Sequence, residues 1–186
     1  RGSCTCGRGA VRQMQAQGHG GRVELLSSGS GQRGKFGQGN YAAAKAGIAA
    51  MARTGATECA GANVAVSAVV PVAMTQMVAT IPALMPFAEA MERGEPLPAS
   101  LRHGLGLGTP DDVAPLLVFL ASRQAAHITG QCIGIRGDKL SLWSPPSEVR
   151  VAYREGGWDA ASIAAGWAQG VGQQLEPFGD EITLPG

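Results

Sequence analysis

Residues 22–71, RVELLSSGSGQRGKFGQGNYAAAKAGIAAMARTGATECAGANVAVSAVVP, decide the fold. Val23, Leu25 and Leu26 make a short apolar run closed by serines and a glycine, which predicts a strand near residues 22–27 buried in a sheet. Residues 29–39 read as a glycine-rich loop. Asn40 offers a capping side chain, and the alanine-rich, proline-free stretch 41–59 predicts a long helix that Gly61 ends. NVAVSAVVP is a β-branched run, a second buried strand near 63–69, closed by Pro71 because proline cannot continue a central ladder. Strand, helix and strand in that order make a parallel β-α-β unit and an α/β layered fold.

Upstream, Val11 and Met14 fall at helical spacing in residues 9–17, and the cluster Gly18, Gly20 and Gly21 stops that helix. Downstream, residues 72–108 are too long for a simple connection and predict a mobile substrate loop with one or two short helices. Met74, Met77, Ile81, Met85 and Phe87 are its candidate pocket-lining residues, with ordinary packing as the plainer reading of the same stripe. Thr109, Pro110, Asp111 and Asp112 mark a helix start, with VAPLLVFLAS as its apolar face. A third strand is expected near 130–136. The tail beyond residue 140 predicts two short amphipathic helices outside the sheet, with Trp143, Trp158 and Trp167 as its anchors on the body or on a neighbouring subunit. Residues 1–140 thus form the main domain, and 141–186 a helical extension packed on it.

A chain of 186 residues with 45% hydrophobic content can bury one ordinary core. Its formal charge of +1 is too small to draw a nucleic-acid backbone or an anionic membrane by field alone. No apolar run approaches the roughly 20 residues of a bilayer span, and residues 1–10 lack the apolar stretch of a secretory signal. A soluble, cytoplasmic protein is expected. Cys4, Cys6, Cys59 and Cys132 show neither CxxC pairing nor scaffold density and read as reduced structural thiols. His19, His103 and His127 are scattered and form no HExxH, so no metal site is expected.

The chemistry concentrates between Ser28 and Lys45. Ser28 ends the first strand, while Tyr41 and Lys45 stand four residues apart on one helix and so share a face. An ammonium beside a phenol favours the phenolate and lowers its pKa from about 10 toward working pH, which suits proton exchange with a hydroxyl or carbonyl oxygen. A serine hydroxyl aimed at the same oxygen would stabilise developing charge. No neighbouring histidine activates Ser28, which argues against a hydrolase triad. Residues 29–35, GSGQRGK, satisfy a loose phosphate-loop pattern, but Phe36 stands where magnesium binding needs Ser or Thr and no helix is expected to open at once.

Ser28 thirteen residues before a YxxxK, together with VAVSAVVP, TPDDVAPLLVFLAS and ITGQCIGIRGD in that order, resembles the short-chain dehydrogenase/reductases over roughly residues 1–140. The tail is similar to hydroxyacyl-CoA dehydrogenase units of multifunctional enzymes. The resemblance implies the second half of a doubly wound, Rossmann-like parallel sheet. It also implies hydride transfer between NAD or NADP and an alcohol/ketone pair, with a 3-hydroxyacyl compound as one such substrate. Tyr41 would be the acid/base; Lys45 would assist it and hold the nicotinamide ribose; Ser28 would orient the substrate oxygen. Cofactor contacts would come from Tyr41, Lys45, Pro71, Val72 and Thr75. Val72 stands where the family usually has glycine, and Ser67 where it usually has asparagine.

The family's first strand, TGxxxGxG turn and NNAG segment have no counterpart in the sequence, and the first residue is Arg1. The expectation is therefore a carboxyl-terminal portion of a longer enzyme, without the pyrophosphate site. An unpaired first strand would expose an open edge and lower solubility. A homo-oligomer is expected through the helices at 1–17 and 41–59. The rival expectation is a non-catalytic or degenerate assembly fragment of such an oligomer.

Overall fold

The computed structural model describes residues 1–179. They divide into two compact units, residues 1–143 with Gly179, and Ser144–Phe178. The first unit carries a four-stranded sheet in the order β1-β2-β3-β4, formed by Gly21–Leu26, Val64–Val72, Cys132–Arg136 and Lys139–Trp143. β1, β2 and β3 run parallel, and β4 pairs antiparallel with β3.

Alternation along β2 builds a layer on each face. Val64, Val66, Ala68 and Val70 join Leu25, Ala49, Ala52, Cys59 and Cys132 beneath α1 (Gly2–Gln17) and α3 (Gly39–Glu58). Val69 turns to the other face and packs with Leu116 and Leu120 of α6 (Ala114–Ala121), beside Ile133 and Ile135. Side chains buried this completely stabilise the fold by about 1.5–3 kcal/mol each. The result is the α/β three-layer arrangement expected.

Several local expectations are revised. Helix α1 spans Gly2–Gln17, as the helix expected at 1–17 does, and extends well beyond the 9–17 stretch of apolar spacing, because a nucleus held on the sheet by Val11 and Met14 propagates outward at low cost. Residues 29–39 are not all loop: Ser28 caps a short helix, α2 (Gly29–Arg33), and α3 then starts at Gly39, with the Asn40 side chain accepting from the Tyr41 amide. Pro71 does not end β2, which runs on to Val72. Val69 accepts from Ser27 on the β1 side, so Pro71, two residues on, turns its missing N–H to the same side, where β1 has already finished.

Residues 73–108 carry the short helices expected of them and add a core of their own. They hold α4 (Gln76–Ala79), α5 (Met85–Glu92) and a π-helical turn, Ser100–Leu105, around their own buried cluster of Met74, Leu84, Leu97, Leu101, Leu105 and Leu107. A further correction concerns the tail: β4 is a strand where a helix was expected, and Trp143 lies in it, packed against the β1–β3 core instead of anchoring a tail. Gly137 and Asp138 form the two-residue turn of this hairpin, with Gly137 at φ 51. In the second unit the described residues hold one helix, α7 (Ala160–Gly166), capped by Asp159. No helix among the described residues is long and apolar enough to cross a membrane.

Candidate active site

The carboxyl ends of β1, β2 and β3 open into one cleft of about 1420 Å³. Such ends are where open α/β sheets place ligands. Ser28 follows β1 directly, and Tyr41 occupies the first turn of α3. Pro71, Val72 and Thr75 arrive from the end of β2, and all five line the cleft. Lys45 is not on its wall. Its Nζ donates to the Leu26 carbonyl at 2.8 Å and sits 5.6 Å from the Tyr41 ring centroid. The Lys45 ammonium therefore ties α3 to the last residue of β1 while placing positive charge against the tyrosine ring.

Residues that the sequence reading passed over hold this geometry. Ser27 is buried and its Oγ donates to the Lys45 carbonyl at 2.8 Å, a second tie between β1 and α3. Ser30, also buried, donates to Gln38 Oε1 at 2.8 Å and closes the turn between α2 and α3. Gly31 lets the two helices meet: a Cβ there would stand 2.6 Å from the backbone of Lys45 and Ala46. The GSGQRGK segment is thus largely helical and packed on α3, contrary to the loop expected. Ser28 Oγ accepts from the Ser30 amide at 3.4 Å, a long bond that leaves its hydroxyl proton and remaining acceptor capacity for a ligand.

Of the methionine-rich stripe, only Met77 reaches the cleft. Met74 is buried in the cluster of residues 73–108 and Phe87 packs against it, while Ile81 and Met85 are exposed. Ser67 is buried and donates to the Ile128 carbonyl at 3.3 Å. Cys59 and Cys132 are buried in the core, where desolvation pushes both thiols up; Cys4 and Cys6 are exposed on α1 and have no packing role.

The far wall of the cleft was not anticipated. Gly134, Arg136, Lys139, Ser141 and Trp143 of the β3–β4 hairpin line it, as do Arg33 and Lys35 near Ser28. The alternation KLSLW after a Gly-Asp turn is the signal that could have found the hairpin. Below it, Arg102 of the π-helical turn grips Asp112 through two bonds of 3.1 Å and Asp138 at 2.9 Å. The Arg102 guanidinium holds both carboxyls below the usual carboxylate range. This clasp joins the 100–105 turn, the start of α6 and the hairpin.

Residues 1–137 match the family described as enoyl-(acyl carrier protein) reductase. Among curated proteins, the chain is 40% identical over 118 residues to a 3-oxoacyl-[acyl-carrier-protein] reductase, FabG, of Thermotoga maritima, covering 63% of this chain and 44% of the relative. It is 36% identical over 146 residues to the hydroxyacyl-CoA dehydrogenase ChsB1 of Mycobacterium tuberculosis, covering 78% and 42%. Among solved structures it is similar to a short chain dehydrogenase from Mycobacterium avium, with a TM-score of 0.63 and 29% identity over 85% of this chain and 45% of that one. The chain spans a little under half the length of each of these relatives.

Proposed function

Because the chain belongs to the short-chain dehydrogenase/reductase family, we propose that its cleft interconverts a secondary alcohol and a ketone on a 3-hydroxyacyl or 3-oxoacyl thioester with a nicotinamide dinucleotide, NAD or NADP. The observation that carries the reading is the placement of Ser28 and Tyr41 on one cleft wall, with the Lys45 ammonium 5.6 Å from the tyrosine ring. Relatives named as reductases or dehydrogenases of such thioesters support the substrate class.

In this reading Tyr41 Oη donates a proton to the carbonyl oxygen during reduction and takes it from the alcohol during oxidation. Ser28 Oγ donates a hydrogen bond to the same oxygen and steadies the charge that gathers there. Lys45 places positive charge beside the ring and fixes the tyrosine's helix against β1. The nicotinamide group, when bound, supplies or accepts the hydride. The donors at the start of α3 and beyond β2 suit its ribose and amide: the Tyr41 hydroxyl, the exposed Thr75 hydroxyl, and an ammonium on Lys45 that spends one of its three donors on Leu26. Val72 and Pro71 give the ring an apolar floor.

The test is nicotinamide absorbance during incubation of the chain with a 3-oxoacyl thioester and NADH or NADPH. Reduction of the thioester ketone at a rate proportional to protein concentration is the expected result. Hydrolysis of the thioester without nicotinamide oxidation would overturn the reading. A second reading rests on α1, which has no buried residue, and on α3, where Ala43, Ala44, Gly47 and Ala50 are exposed. These faces suit helix-to-helix contact between subunits, and a chain that assembles through them without turnover would be a structural partner within an oligomer.

A further inference from the structure

The cleft wall formed by the β3–β4 hairpin carries donors without acceptors. Arg136 and Lys139 are directly opposite each other in the antiparallel ladder, as are Gly134 with Ser141 and Cys132 with Trp143. Paired residues share a face, so Arg136, Lys139, Ser141 and Trp143 all project from the cleft side of the sheet. Two cations directly opposite one another repel and weaken a hairpin unless something negative sits between them. The hairpin's own acid cannot serve, because Asp138 gives one oxygen to Arg102 and the other to His103 at 2.9 Å.

Further facts point the same way. Among the described residues lining the cleft none is acidic, while Arg136 and Lys139 on the hairpin wall are cationic. The Trp143 indole N–H is buried and has no hydrogen-bond partner. Gly134 lets the Ser141 hydroxyl and the indole N–H close in over β3: a Cβ there would lie 3.1 Å from Trp143 Nε1 and 2.5 Å from Ser141 Oγ. The Arg136 stem is held in place over Gly106, where a Cβ would stand 2.7 Å from it. A guanidinium, an ammonium, a hydroxyl and an indole N–H on one face form a donor set for an oxyanion.

We propose that the β3–β4 hairpin is an anion subsite that binds a carboxylate or phosphate borne by the substrate at a distance from its reacting carbon. The inference rests on the reading of this cleft as the substrate site and names the charge class of what enters it. Arg136 supplies the paired N–H fork, Lys139 a second positive charge, and Ser141 and Trp143 the neutral donors.

The experiment follows the three indole N–H signals of the full chain by NMR, with Trp143→Phe identifying its own, during titration with inorganic phosphate in one arm and succinate in another. The expected result is a saturable shift of the Trp143 signal, with Trp158 and Trp167 unmoved. Response to phosphate alone identifies a phosphate-bearing substrate, and response to succinate alone a carboxylate-bearing one. Arg136→Gln weakens that binding at least tenfold and Lys139→Gln several-fold, both with a wild-type circular dichroism spectrum. An unmoved Trp143 signal, or equal affinity in the folded Lys139→Gln and Arg136→Gln proteins, overturns the proposal. The Tyr41→Phe protein separates the two readings: it keeps the anion response if the subsite is real, whatever becomes of turnover. Turnover without any anion response defeats the subsite alone.

Discussion

Gly31 shows how little room the candidate active site leaves at the scale of one residue. Its missing side chain is what allows α2 to lie on the Lys45–Ala46 backbone, with 2.6 Å to the nearest atoms of a would-be Cβ. Both partners are main chain and cannot swing aside, so Gly31→Ala should cost about 1–3 kcal/mol, measured as a shift in the denaturation midpoint. It should also lower turnover by moving Ser28 away from Tyr41. Unchanged stability would mean that α2 sits elsewhere in solution. Ser28, Tyr41 and Lys45 were legible in the sequence because they recur at fixed spacings. Ser27 and Ser30 were not, because their hydroxyls act through bonds to Lys45 and Gln38 that only the folded turn creates.

Elements were legible where one periodicity ruled. β2, with its β-branched alternation, and α3, with its alanines, fall within a few residues of expectation. The sequence misled where tertiary contact decided. α2 forms because Ser28 caps it and α3 receives it, and Pro71 stays in β2 because its strand neighbour has ended. β4 was missed because its alternation runs for only five residues, too short to set it apart from a tail read as two amphipathic helices.

The clasp among Arg102, Asp112 and Asp138 belongs to this scale, since it joins three elements at the rim of the cleft. Asp112 is held below its unfolded value of about 4, first by its bonds to Arg102 and then by the Thr109 amide. A lowered folded value means that the stabilisation is fully present above about pH 4 and is lost as pH falls through the folded value. Thermal midpoints measured from neutral to acid pH should therefore drop below about pH 4 in the wild type. Asp112→Asn should start lower and fall less steeply. Parallel curves for the two proteins would show that the clasp does not form.

At the scale of the whole molecule the sheet ends on β1 at one side and on β4 at the other, and it is the β1 edge that α3 of the site reaches. β1 pairs with β2 through the odd-numbered residues from Gly21 to Leu25 and through Ser27, so Arg22, Glu24 and Leu26 turn their backbone groups outward. Lys45 occupies the Leu26 carbonyl; the rest of this edge has no strand beside it among the described residues. Sedimentation at increasing concentration should reveal association of the chain through this edge. Glu24→Pro removes one outward N–H while leaving the β1–β2 ladder intact, and should reduce association without unfolding the protein. Association insensitive to that change would place the contact on α1 and α3 instead.

The central claim is that Tyr41 carries the proton in a nicotinamide-dependent exchange of alcohol and ketone. The most direct measurement compares turnover of a 3-oxoacyl thioester by the wild-type chain and by Tyr41→Phe, which removes one hydroxyl and keeps the ring. The account predicts a fall in kcat of at least about 10²-fold with the circular dichroism spectrum and denaturation midpoint retained. Equal turnover by the two proteins would contradict it.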